Sequence, residues 1–133
     1  MSNYDIDQLI YGINYSSNQR KQIIGRALAE HLSFIPGPGG KDGSVDGAIM
    51  GSDEKLFAHF QSKLSSNSIH LDEAKILHSD LIRLSPHVCV YVAGVGYDDS
   101  VYRLLSSQNI SQINSIHLLT LKDIVQHSDA YIE

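Results

Sequence analysis

Three side chains in this sequence have the types and spacing of a hydrolytic metal site: Asp46, Gln61 and Lys63. An aspartate offers a hard anionic oxygen of the kind Mg²⁺ prefers. A glutamine offers a neutral carbonyl oxygen. A lysine can orient or activate a water, or stabilise negative charge on a phosphate in flight. Gln61 and Lys63 are two residues apart, so in a strand they project from one face. A hairpin that sets Asp46 against Gln61 would gather the three groups around one point. The glycines at 39, 40, 43 and 47 would let a polyanionic backbone approach closely.

The elements that must position these groups follow from the apolar pattern. Ile6, Leu9, Ile10 and Ile13 mark a helix over Asp5 to Asn14. Ser16 and Gln19 have the spacing of a capping box for a second helix, with Ile23, Ile24, Ala27, Leu28 and Leu32 along one side. That helix should stop before Pro36, and residues 36–43 read as an irregular loop. Ser44 to Met50 and Leu56 to Lys63 read as two strands joined by a turn over 51–55. Leu71, Ala74, Leu77, Leu81 and Leu84 predict an amphipathic helix, with Asp72 and Glu73 at the positive end of its dipole. His87 to Ala93 reads as a buried central strand, interrupted by Gly94-Val95-Gly96-Tyr97. A short helix at about 98–106, a strand over Ser115 to Leu119 and a final helix capped by Thr120 and Asp123 complete the order α-α-β-β-α-β-α-β-α. Such an order predicts one α/β domain over residues 1–133, with a mixed sheet flanked by helices.

Bulk properties fit an ordinary globular domain: 133 residues, 42% hydrophobic and 19% charged. No apolar run reaches the roughly 18 to 20 residues that span a bilayer, so no membrane partner is expected. The start of the chain lacks the basic and apolar segments of a signal peptide. The lone Cys89, in an apolar stretch, suits a reducing cytoplasm. A net charge of −5 argues against coating nucleic acid through a bulk positive field, but leaves room for a local basic groove.

Each candidate also has a plainer structural role. Asp42 reads first as a turn residue, because Asp-Gly is a standard turn pair. Lys63 alone could simply end an edge strand; beside Asp46 and Gln61 the chemical role is favoured. His59 shares the face of Gln61 and Lys63, so it could touch a scissile phosphate or a metal-bound water, or be a supporting group with its hydrogen bonds satisfied. Glu30, late in the second helix, reads as a solvated flank with an accessory metal role as the alternative. The other histidines lack metal-ligand spacing, so no zinc site is expected. Gly94-Val95-Gly96 lacks the third glycine of a nucleotide-binding loop.

The run Gly40-Lys41-Asp42-Gly43-Ser44-Val45-Asp46-Gly47, followed by Gln61-Ser62-Lys63, resembles the PD-(D/E)xK nuclease superfamily, most closely the Mrr-like restriction endonuclease catalytic domain. His87 to Ala93 and the closing Ile116 to Ile124 segment extend the resemblance over most of the chain from about Gln19 onward. It implies a restriction-endonuclease-like fold and Mg²⁺- or Mn²⁺-dependent phosphodiester hydrolysis. DNA would be the substrate and genome defence the setting. Asp46 and Gln61 would hold the metal, and Lys63 would be the catalytic lysine. A homodimer would supply the two sites that a double-strand break needs. Two departures stand out. Ser44 replaces a glycine, and the helical region from about Gln19 to Ile23, where the family often places a metal-assisting glutamate, has no acid. A catalytically silent module that binds nucleic acid or protein, or a regulatory subunit of a larger defence complex, is the competing expectation.

Overall fold

The computed structural model describes residues 3–32, 34–36, 47–50, 56–105 and 115–126. Helices α1 (Asn3–Asn14) and α2 (Asn18–His31) come first, followed by strands β1 (Ile35–Pro36), β2 (Gly47–Met50) and β3 (Leu56–Lys63). Then come α3 (Leu71–Leu84), β4 (Val88–Ala93), α4 (Asp99–Leu105), β5 (Ser115–Thr120) and α5 (Leu121–Val125). The strands form one mixed sheet in the order β1-β2-β3-β4-β5. The first three pair antiparallel, while β3–β4 and β4–β5 pair parallel. The expected α/β architecture with a flanked mixed sheet is therefore present.

Alternation along β4 separates two cores. Val88, Val90 and Val92 join Ala58 and Phe60 of β3 under α1, α2 and α5. Cys89, Tyr91 and Ala93 join Leu77, Leu81 and Val101 under α3 and α4. Both crossover helices thus lie on one face, and the N-terminal pair with α5 lies on the other. β4, paired on both edges and apolar in every residue but Tyr91, is the strand that such a two-sided burial requires.

Several boundaries differ from expectation, each for a local reason. The cap of α2 is Ser17, whose hydroxyl accepts the Arg20 N–H at 3.2 Å. Ser16 instead donates back to the Ile13 carbonyl at 2.7 Å and helps close α1. Pro36 was expected in a loop, yet Ile35–Pro36 is β1, paired with Ala48 and Gly47. An edge strand tolerates a proline because its missing N–H need not enter a ladder. Leu9 and Ile23, expected on buried helix sides, are about half exposed and line a groove between α1 and α2. Thr120 and Asp123 do form the expected reciprocal cap, at 3.1 and 2.9 Å. Among the described residues, no helix is long and apolar enough to cross a membrane.

Gly94, at the exit of β4, is packed against two other segments. A Cβ there would lie 2.5 Å from the Ser65 carbonyl oxygen and closer still to the Asn14 amide oxygen. Gly94→Ala is expected to destabilise the fold by about 2 kcal/mol, the scale of an overpacked core site. Urea unfolding measures this; an unchanged midpoint would show that the α1–β4 junction is not tightly packed.

Candidate functional site

The register of the sheet places the sequence-selected residues of β3. His59, Gln61 and Lys63 pair with Cys89, Tyr91 and Ala93 of β4, which puts all three on the face covered by α3 and α4. The shared face read from their spacing is therefore present. Lys63 ends the strand, and its carbonyl accepts N–H groups from Ser65 and Gly94, each at 3.1 Å. The Gly94 carbonyl in turn accepts the Asn14 side-chain amide at 3.1 Å. Gly96 accepts the Ile69 N–H at 2.9 Å. The glycine run after β4 thus ties down the exit of β3. Ligands of open α/β sheets collect at such carboxyl ends of parallel strands.

Going back along the strand, burial deepens. Lys63 is exposed, Gln61 is half-buried and His59 has no exposed surface. The Gln61 amide oxygen and both His59 ring nitrogens are buried without a hydrogen bond of good geometry, although the two side chains lie close enough for Gln61 to favour the charged imidazole. A buried acceptor left without a donor costs about 1–3 kcal/mol. Desolvation holds the His59 imidazole below its ordinary value of 6.5, against smaller upward pulls from the Gln61 side chain and the Asp80 carboxylate. This depth sets His59 under the surface beside Gln61, in the position of a supporting group.

The structure brings two residues to Lys63 that sequence reading had not placed in the site. Glu73, from the first turn of α3, sits with one carboxylate oxygen 3.5 Å from the Lys63 ammonium. Its other oxygen accepts the His70 backbone N–H at 3.1 Å. In sequence Glu73 was legible only as a helix-dipole acid; nothing in its spacing pointed to Lys63. Gln22 is the second. With Asn18 and Lys21 of α2, it faces Ser62, Lys63 and Ser65 across a polar cleft of about 400 Å³. The region noted for its lack of an acid therefore does reach the end of β3.

Other candidates are placed differently. Glu30 is exposed near the C-terminal end of α2, about 12 Å along the axis from Gln22 at 1.5 Å per residue. Asp42 and Asp46 lie outside the described residues. Among the described residues, no three His, Cys, Asp or Glu side chains converge on a point that could hold a metal ion.

The first turn of α3 carries a titrating link. His70 Nδ1 lies 2.5 Å from the Asp98 carboxylate, and that contact, with its charge, raises the histidine above its ordinary 6.5. The raised value means this stabilisation is fully present below about pH 6.5 and is lost as pH rises through the folded-state value. Buried His59 works in the opposite direction. Its neutral form is native, so stability falls as pH drops below 6.5 toward its lowered value. Histidine NMR titration should place the His70 midpoint above 6.5 and the His59 midpoint below it, with Asp98→Asn lowering that of His70. A His70 midpoint unmoved by Asp98→Asn would contradict the assignment.

No family model and no curated protein matches the chain, so the residues and their geometry carry the functional argument.

Proposed function

We propose that this protein is a metal-dependent endonuclease that hydrolyses phosphodiester bonds, with DNA as substrate. Asp46 and Gln61 would hold a Mg²⁺ or Mn²⁺ ion, and Lys63 would stabilise charge on the phosphate. The observation that carries this reading is the buried Gln61 amide oxygen, which accepts no hydrogen bond of good geometry and stands one step before an exposed lysine on the same strand face. A neutral carbonyl oxygen in that state fits a hard divalent cation. Register supports the choice of Asp46. It is joined to Gly47, and Gly47 pairs with Phe60, the residue before Gln61.

A divalent cation held there would acidify a water and polarise a phosphoryl oxygen. The chain's own residues do the rest. Asp46 supplies the anionic oxygen, and Gln61 supplies the neutral one with its orientation fixed by burial. Lys63 presents its ammonium at the rim, where a phosphate would lie. The sequence resemblance to Mrr-like domains supports the same assignment, and it motivates a role in genome defence in the cytoplasm, with a homodimer providing two cuts.

A second reading has its own support. The cleft beside Lys63 receives Gln22 rather than an acid, Lys63 is held by Glu73, and the chain carries a net charge of −5. Those features suit a silent module that binds nucleic acid or protein, or a regulatory subunit.

Incubation with supercoiled plasmid and single-stranded DNA, with and without Mg²⁺ or Mn²⁺, separates the readings. The nuclease reading predicts metal-dependent nicking, reduced at least about a hundredfold in Asp46→Ala and Lys63→Ala, with each variant melting within a few degrees of wild type. Equal cleavage by Asp46→Ala would remove that residue from the site. Retained DNA binding without any cleavage would favour the silent module.

A further inference from the structure

We propose that Glu73 is the positioning residue for Lys63, fixing where the ammonium stands relative to a phosphate at the end of β3. This rests on the nuclease reading of the same site.

The argument begins with the flexibility of the lysine. Its side chain is 53% exposed at a strand terminus and has four rotatable carbons. Its backbone is fixed by the Ser65 and Gly94 N–H groups, but those bonds do nothing for the ammonium. A charge that must meet a phosphate in one geometry needs a second anchor, because loose placement costs rate. Glu73 supplies it. The carboxylate is itself held, since one oxygen accepts the His70 N–H at 3.1 Å while the other faces the ammonium at 3.5 Å. The cap fixes the acid, and the acid fixes the lysine.

Stability does not explain the pair. Half-exposed ion pairs of this kind contribute at most about 1 kcal/mol and often nothing measurable. The cap at His70 needs only an oxygen acceptor, which glutamine would provide equally well. The helix dipole favours an acid anywhere in this turn, as at Asp72, but the second Glu73 oxygen also has a specific partner, the Lys63 ammonium. The first turn of α3 is further tied to the β4–α4 connection, through His70 to Asp98 and through the Asp98 N–H to the Ile69 carbonyl at 3.0 Å. Glu73 thus stands on a braced segment.

The test uses the full chain with Glu73→Gln, Glu73→Asp, Lys63→Ala and the double variant Glu73→Gln/Lys63→Ala. Glu73→Gln keeps an acceptor for the His70 N–H and removes the charge. We expect it to melt with wild type, to lower kcat on plasmid DNA on the order of tenfold and to leave KM within about twofold. Glu73→Asp should recover part of the rate, and Glu73→Gln should add no further loss in the Lys63→Ala background. The Lys63 side-chain NMR signal should shift in Glu73→Gln, a readout that needs no activity. Full activity of Glu73→Gln, or a loss that adds to that of Lys63→Ala, overturns the proposal while the nuclease reading stands. A wild type that cuts nothing overturns the nuclease reading and the positioning role together. A Lys63 signal indifferent to Glu73→Gln overturns the pairing whatever the activity.

Discussion

Strand β4 is buried on both faces and pairs in parallel with a neighbour on each side, and the rest of the molecule is arranged around that requirement. A parallel strand cannot follow its neighbour through a tight turn, so helices must carry the chain back across the sheet. α3 and α4 do so on one face, where Cys89, Tyr91 and Ala93 meet Leu77, Leu81 and Val101. The other face of β4 then needs its own cover, and α1, α2 and α5 provide it over Val88, Val90 and Val92. The β3–β4 register is fixed because a slip of one residue would exchange the two cores.

That register has a chemical consequence. The β3 residues pointing toward α3 and α4 are His59, Gln61 and Lys63, in order of decreasing burial. Polar side chains in the first two of these positions oppose the apolar rule followed by β4, and both leave buried atoms without a hydrogen bond of good geometry. A fold pays for such local violations mainly where function requires them. The exposed end of the series lies where the Gly94–Gly96 connection, the first turn of α3 and the start of α2 all approach the tip of β3. Segments distant in sequence are thereby gathered at one strand end.

Much of this was legible in the chain itself. The period of two in β3 announced a shared face, the apolar run around Val90 announced the central strand, and Thr120 with Asp123 announced the last helix. These signals are local, so sequence carries them directly. Glu73 and Gln22 were not legible as neighbours of Lys63, because their proximity depends on how α3 and α2 dock on the sheet. The same limit applies to Ser17, Pro36 and Ile23. The cap moved by one residue, the proline found a tolerant edge, and the isoleucine faced outward because the buried stripe of α2 runs through Ile24, Leu28 and Ala29.

The central claim is that the Gln61 amide oxygen is a metal ligand, and calorimetric titration of Mn²⁺ into wild type, Gln61→Glu and Gln61→Ala tests it without any substrate. A neutral ligand gives a site of modest affinity, and a carboxylate in its place adds a charge beside the cation. Gln61→Glu should therefore bind Mn²⁺ about tenfold more tightly than wild type, and Gln61→Ala should lose most of the binding. Identical titrations for all three proteins would place Gln61 outside the coordination sphere and contradict the metal site altogether.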